Sequence, residues 1–277
     1  MRILALILGT CRELAAKATL YVLAGISTLI LLGVVLAVSS TSHDGKSVLV
    51  IFGNEITPPT GDAAFPQMIS QMEASLANGL FVGVVLFGMF ATAGVLPDAL
   101  EKGTVDLYLS KPIARWELVL GKFLGAVTAI GANILYFIGL LWLIIGIKVG
   151  VWDAGFLLAV PAMTFVFACL FAVVALFGVI SRNMAIAIIA GFVYLLVIAQ
   201  LLEGRESGLY MISTGSVYRA IVDGFYYALP QIPNMQGNLL RTISGAGSFD
   251  WRPFGQSLLS SAAFLGLAAW NLQKRDF

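Results

Sequence analysis

Charged residues are what this sequence has least of. Only 11% of its 277 residues are Asp, Glu, Lys or Arg, and 59% are hydrophobic, whereas about 25% of a soluble domain is charged. A soluble fold of this length could not remove so much apolar surface from water, so the composition predicts a membrane protein. The net charge of +1 offers no strongly basic face and argues against a nucleic-acid partner.

Cysteine and histidine are also scarce. Cys11 and Cys169 lie far apart, so neither a disulfide framework nor a metal or redox spacing is present. The single histidine, His43, falls between two apolar runs rather than inside one. Carriers driven by protons or ions need titratable groups inside the membrane. Because the apolar runs hold almost none, we expect that energy does not enter through the membrane core of this chain.

Catalytic motifs are missing as well. Gly45-Lys46-Ser47 would need a glycine five residues earlier to form a phosphate-binding loop, and Ser40 stands there. No Ser/His/Asp set, paired-carboxylate site or metal cluster is recognisable. We therefore expect a chain that is not an enzyme and that binds no cofactor or metal itself.

Long apolar runs are what the sequence has in abundance. Six stretches reach the roughly 20 residues needed to cross a bilayer, at about 18–38, 76–97, 118–147, 154–180, 184–203 and 254–272. They predict an all-α integral membrane protein with six transmembrane helices in a single domain, 1–277. Lys122, in the first turn of the third span, is expected to snorkel to the interface. Asn133 and Gln200 are interpreted as helix-packing groups rather than ligands.

Lysine and arginine are distributed unevenly among the loops. Ten fall on one side of the predicted spans and six on the other, over about twice as many loop residues. The first side is therefore expected to be cytoplasmic and to hold both termini. Residues 39–75 and 204–253 then become extracytoplasmic loops. The first is rich in Gly, Pro, Ser and Thr and is interpreted as irregular.

The second outer loop contains a helical repeat. Val217, Ile221, Phe225 and Ala228 recur at helical spacing before Pro230 ends the run. The pattern favours either an amphipathic helix on the outer membrane surface or a helix within a small folded loop.

Small residues recur in rows within the predicted spans. Gly121 and Gly125 lie on one face of the third span, and Ala168 and Ala172 lie on one face of the fourth. Such rows let helices approach closely, so these four positions predict tight helix packing.

One short segment concentrates the charge that the rest of the chain lacks. Eight ionisable residues fall within residues 97–123, namely Asp98, Glu101, Lys102, Asp106, Lys111, Arg115, Glu117 and Lys122. The residues around Gly103 fit either a helix that this glycine interrupts or a strand in which Val105, Leu107 and Leu109 alternate, and Pro112 is suited to start the next helix. The residues alone leave two interpretations open: a solvated loop, or a docking surface for a cytoplasmic partner.

The same segment resembles a family signature. The sequence "LEKGTVDLYLSKPIARWELVLGKFLGA" is similar to the signature segment of ABC-2 type transporter permeases. The matching positions are Glu101, Gly103, Thr104, Asp106, Ser110, Pro112, Arg115, Trp116, Glu117, Gly121 and Lys122. Residues 1–17, with Arg12, Glu13 and Lys17, resemble the interfacial helix of the family. The likeness extends to the group linked to multi-copper enzyme maturation, from which the long polar loop 204–253 departs.

The resemblance implies the membrane half of an ATP-driven exporter in the cytoplasmic (inner) membrane of a prokaryote. Two copies of a cytoplasmic ABC ATPase, which would hold ATP and Mg, would bind residues 98–117, and residues 181–183 would be a minor contact. A second permease chain, identical or related, would complete the unit. The implied ATPase-coupling interface comprises Asp98, Glu101, Gly103, Thr104, Asp106, Leu107, Leu109, Ser110, Pro112 and Arg115.

Three functions remain open from the sequence. The leading one is an export permease whose substrate is unidentified. The second is a mechanotransmission subunit that passes ATPase-driven motion to an extracytoplasmic partner without transporting a substrate. The third is an ATP-independent membrane scaffold or channel.

Overall fold

A computed structural model describes residues 2–43, 46–52, 54–56, 65–101, 103, 114–212 and 215–274. The first half holds α1 (Arg2–Ala16), α2 (Ala18–Ala37), β1 (Val38–His43), β2 (Lys46–Ile51), β3 (Asn54–Ile56), α3 (Phe65–Thr92), α4 (Val95–Ala99) and α5 (Arg115–Val149). The second half holds a 3-10 turn (Ala154–Leu158), α6 (Ala159–Ser181), α7 (Met184–Val193), a π-helical turn (Tyr194–Ile198), α8 (Ala199–Glu203), α9 (Leu209–Ile212), α10 (Ser216–Ala228), α11 (Ile232–Ile243) and α12 (Arg252–Gln273).

Five of the described helical segments are long and apolar enough to cross a membrane. They are Leu20–Ala37, Phe65–Ala99, Arg115–Val149, Ala154–Ser181 and Met184–Glu203. The chain is therefore a helical multi-pass membrane protein, as its composition predicts. The sixth predicted span corresponds to α12, which has 22 residues but is less apolar. Its crossing of the membrane, and the side on which each terminus lies, stay predictions.

The polarity of α12 nevertheless suits a helix surrounded by lipid. Ser257, Ser260 and Ser261 are buried, while Leu258 and Leu259 are 56% and 74% exposed. A helix in water turns its apolar face inward. The opposite arrangement, with hydroxyls inside and leucines outside, is what an apolar solvent favours.

The centre of the bundle is α6. It contacts α3, α5, α7, α11 and α12. The Phe171 ring stacks on Phe123 of α5 with centroids 5.6 Å apart, and on Phe167 of its own helix at 5.9 Å. Aromatic pairs of this kind add to the stabilisation that burial alone provides, so they fix α5 against α6.

Polar contacts join α2 to α5. The Ser27 hydroxyl donates to Asn133 Oδ1 at 3.3 Å, which is the helix-packing role predicted for Asn133. Near the other end, Lys148 Nζ donates to the Val38 carbonyl oxygen at 2.9 Å, where a helix end lacks internal partners. Gln200, by contrast, is exposed on α8, so it does not pack inside this chain and its packing role stays a prediction.

Residues 39–75 are not irregular throughout, contrary to the prediction from their composition. β1 pairs with β2 in an antiparallel register that places Val38 opposite Ile51, and β2 pairs with β3 so that Ile51 faces Asn54. The next helix begins at Phe65, 11 residues before the predicted span. Pairing between strands satisfies the backbone whatever the side chains are, so a composition rich in Ser and Gly does not prevent a small sheet.

Residues 204–253 hold more helix than predicted. The predicted amphipathic helix forms as α10, and Val217, Ile221 and Phe225 on its apolar face are 72%, 55% and 60% exposed. An uncovered apolar face is what a helix resting on a membrane surface requires. α11 was not predicted, and it buries Met235 and Leu239 in the main core.

Candidate functional site at the coupling segment

The candidate site is the charged segment 98–117, called the coupling segment below. The structure describes its two ends, at 98–101, 103 and 114–117. Six predicted interface residues lie outside the described residues, namely Thr104, Asp106, Leu107, Leu109, Ser110 and Pro112. The geometry of the two ends therefore defines how the segment is attached to the bundle.

The first end of the coupling segment is held by α1. Lys17 Nζ donates to Asp98 Oδ2 at 2.8 Å and lies 3.8 Å from Glu13 Oε1. The Lys17 and Asp98 side chains are 36% and 42% exposed, and a pair with that exposure adds little stability. The effect of the Lys17–Asp98 pair is to position α4. Pro97 of α4 also packs against α6, and Gly94, just before α4, packs against the start of α7.

The second end is attached to the C-terminus of α12. Arg115 Nη1 donates to the carbonyl oxygens of Leu272 and Gln273, at 3.0 and 3.2 Å. The last carbonyls of a helix lack partners within the helix, and a cation there also meets the negative end of the helix dipole. Glu117 Oε2 accepts the backbone N–H of Ala114 at 2.9 Å, which caps the first turn of α5.

An apolar cluster lies beneath both ends and is separate from the main core. It consists of Leu96, Leu100, Val119, Ala175, Leu176, Val179, Ala268 and Leu272, each at most 8% exposed. Leu100 directly follows α4, and the other residues come from α4, α5, α6 and α12. Close-packed interiors transmit displacement rather than absorb it, so movement of the coupling segment would be passed to all four helices.

α1 lies directly along the first half of α5. A Cβ at Gly121 would lie 2.5 Å from Leu6 Cβ, and a Cβ at Gly125 would lie 2.5 Å from Thr10 Cβ. Only glycine permits this approach. Cys11 Sγ donates to the Gly125 carbonyl at 3.4 Å, and burial raises the pKa of the Cys11 thiol, which keeps the donor protonated. The small-residue row therefore receives α1 rather than another membrane span.

A buried ion pair joins the same two helices. Lys122 is 2% exposed, and its Nζ donates to Glu13 Oε2. Because α5 begins at Arg115, Lys122 lies in the third turn of the helix, and its ammonium does not snorkel to the interface as we predicted. A buried lysine needs a carboxylate in contact with it. Glu13 supplies that carboxylate and also lies near Lys17, so one residue of α1 contacts α5 and the lysine that holds the first end of the coupling segment.

The remaining predicted site residues lie apart from these contacts. Arg12 and Glu101 are exposed. Gly103 has φ of 90°, a conformation that side chains other than hydrogen rarely adopt. On α6, Ala172 is fully buried, and Ala168 packs at the edge of the same core.

Glu73 is a buried carboxylate that the sequence interpretation missed. Its side chain on α3 is fully buried, and neither carboxylate oxygen has a hydrogen-bond partner among the described residues. We had placed it in an outer loop because the predicted span began at residue 76. Glu73 continues a four-residue spacing with Phe65, Ile69 and Ala77, which are all buried. That spacing would have placed Glu73 on the buried face of α3.

A multi-pass helical protein with a charged segment anchored at one end of its bundle fits the class of transporter permeases. The family model described as ABC-2 family transporter protein matches residues 62–277. The chain belongs to that family, and it is a multi-pass protein of the prokaryotic inner membrane. Family members are permease subunits of ABC transporters that generally work with a cytoplasmic ATPase and as dimers. No curated protein matches the chain.

Proposed function

We propose that this chain is the permease subunit of an ABC exporter and that the coupling segment is the docking surface for a separate cytoplasmic ATPase. The observation that carries the proposal is the attachment of both ends of the segment to the bundle, through Lys17–Asp98 at one end and Arg115–Leu272 at the other. A loop that only connected two spans would not need both contacts. ATP and Mg would be held by two copies of the ATPase, and this chain would carry out no reaction itself.

The proposed path of motion runs from the coupling segment into three elements. α4 moves with the first end, and α5 continues without interruption from the second end through 35 residues to Val149. α1 is attached to both by Glu13, Lys17 and the glycine contacts on α5. A push made by an ATPase would therefore reach the far end of the longest helix.

A second permease chain, identical or related, would complete the transport unit. Among the described spans, α2 and the span formed by α7 and α8 are the least covered by their own chain. Their apolar faces are available to another permease chain or to lipid. One chain with five or six spans is too small to enclose a path with two gates, which supports a dimer.

The docking proposal is tested by comparing Leu107→Asp with Lys102→Ala. An apolar anchor at the centre of an interface contributes about 2 kcal/mol or more, which is about 30-fold in affinity, whereas a rim charge contributes little. We expect Leu107→Asp to abolish co-purification of the ABC ATPase with the tagged chain from its native membranes, together with ATP hydrolysis. Lys102→Ala should retain most of both.

The unfolding temperature of each purified variant serves as the control, since none of the membrane helices is altered. If Leu107→Asp binds the ATPase as the unaltered chain does while its unfolding temperature is unchanged, the segment is a solvated loop. The docking proposal would then be wrong.

A second candidate is mechanotransmission, with no transported substrate. The observation that favours it is the direct continuation of α2, which ends at Ala37, into β1, which begins at Val38. Motion of that span would be passed to an outer sheet and to any partner bound there. Stimulation of ATP hydrolysis by a candidate cargo favours export. A partner that changes its conformation with nucleotide while no cargo stimulates hydrolysis favours mechanotransmission.

A further inference from the structure

Two cavities lie side by side at the end of the bundle where α6 and α12 begin. The first, of about 510 Å³, is apolar and lies between the first turns of those helices, where Ala162, Phe165 and Leu258 line it. The second, of about 620 Å³, is polar and is lined by residues of α8, α10, α11 and the start of α12. Neither belongs to the coupling segment, and both are formed entirely by described residues.

One short stretch of chain, residues 249–256, separates the two cavities. Its side chains alternate between them. Phe249, Trp251, Phe254 and Gly255 line the apolar cavity, and Asp250, Arg252, Pro253 and Gln256 line the polar one. Only this segment therefore separates the two cavities. A ligand with one polar and one apolar part can occupy both cavities at once.

Three arginines line the polar cavity. Arg205 is already paired, since its Nε donates to Asp223 Oδ1 at 3.1 Å. The structure describes no ion pair between a carboxylate and either of the other two arginines, Arg241 and Arg252. Arginine side chains bind phosphate oxygens with two parallel hydrogen bonds.

The two acidic side chains of the cavity already have partners. An amide hydrogen of Asn234 donates to Glu203 Oε1 at 3.0 Å once its oxygen and nitrogen are assigned by the hydrogen-bond network. The Asp250 carboxylate accepts the backbone N–H of Arg252 at 2.9 Å. Both carboxylates keep their charge, and Glu203 also interacts electrostatically with Arg205 and Arg241. The arginines therefore offer hydrogen-bond donors to a phosphate group, without a surplus of positive charge in the cavity.

We propose that a glycerophospholipid binds across the segment 249–256. Its phosphodiester lies at Arg241 and Arg252, its polar headgroup fills the larger cavity, and one acyl chain lies in the apolar cavity. Lipid is favoured over a soluble anion because the apolar cavity adjoins the charged one directly. Trp251 on the separating segment is 74% exposed, and an indole ring in that situation prefers the level of lipid headgroups.

The test measures lipids retained by the purified full-length chain. The protein is equilibrated in detergent with equal amounts of phosphatidylglycerol and of diacylglycerol with the same acyl chains, which lacks the phosphodiester, and bound lipid is counted by native mass spectrometry. We expect phosphatidylglycerol to be retained preferentially. Arg241→Gln/Arg252→Gln should lower its retention about tenfold, since hydrogen bonds to a charged group are among the stronger ones. Arg219→Gln, on α10 and outside both cavities, is the matched control.

A second variant tests the acyl subsite without disturbing the fold. A Cβ at Gly255 meets no atom within 4 Å, and Gly255 lines the apolar cavity, so Gly255→Leu is expected to extend into it. It should lower retention of phosphatidylglycerol while the unfolding temperature is maintained. Equal retention of the two lipids by the unaltered chain would overturn the proposal. Unchanged retention in the double arginine variant, or in Gly255→Leu, would also overturn it.

Discussion

At the end of the bundle that carries the coupling segment, one ion pair includes a buried lysine, whereas at the opposite end the charged side chains surround an open cavity. Lys122 is 2% exposed and contacts Glu13. Asp223 pairs with Arg205 at the opposite end and keeps 39% of its side chain exposed. The first arrangement suits an element that must move as one body with α1, and the second suits a surface that receives a ligand. We therefore expect the two ion pairs to contribute unequally to stability, because their burial differs.

The largest expected effect comes from removing the carboxylate at the end that carries the coupling segment. Glu13→Leu takes away the acidic group that contacts the buried Lys122 ammonium, and breaking a buried pair costs about 3–5 kcal/mol. We expect a large fall in the unfolding temperature of the purified chain. Glu13→Leu/Lys122→Met should recover most of that loss, because no buried charge remains at the contact.

The matched control for this prediction is Arg12→Leu, which alters an exposed charge on the same helix. Its unfolding temperature should be nearly that of the unaltered chain. If Glu13→Leu destabilises the chain no more than Arg12→Leu does, the pair of Glu13 with the buried Lys122 does not stabilise the chain as we expect.

The next effect concerns the close approach of α1 to α5. A side chain at Gly125 would collide with Thr10 and with the carbonyl oxygen of Ile7, which is 3.0 Å from the Cβ position. Overpacking of this kind costs about 1–3 kcal/mol, so Gly125→Leu should lower the unfolding temperature and release α1 to protease. Gly139→Leu on the same helix, where no atom lies within 4 Å of the added Cβ, should do neither. Equal proteolysis of the two variants would contradict the close packing of α1 against α5.

The smallest effect is expected at the open end. Asp223→Asn weakens the contacts of this residue with Arg205 and with the Tyr210 hydroxyl, which lies 2.5 Å away. Because the carboxylate is partly exposed, the loss should be below about 1 kcal/mol and should shrink as salt is added. Unfolding at low and high salt measures it, with Glu101→Gln, which alters an exposed carboxylate far from Arg205, as control. A loss as large as that of Glu13→Leu would show that exposure does not distinguish the two ends.

How far the sequence could be interpreted is clearest from two neighbouring spans. The predicted span 18–38 agrees closely with α2 at Ala18–Ala37, because α2 is apolar over nearly its whole length. α3 begins at Phe65, whereas the predicted span begins at residue 76. The prediction misses the first turns of α3 because Gln67, Gln71 and Glu73 make them less apolar. Averaged hydropathy finds the length of a uniformly apolar helix, but it misses a helix whose inner and outer faces differ.

The sequence by itself determined the membrane class, the central spans, the charged segment between two of them and the family to which that segment points. These features depend on local composition and on the order of residues along the chain. Only the tertiary structure decided that Glu13 meets Lys122, that the glycine row on α5 receives α1, and that residues 249–256 separate two cavities. The physical reason is that each of these contacts joins residues far apart in sequence. Their partners are therefore set by which helix faces pack together, which a pattern along one chain does not specify.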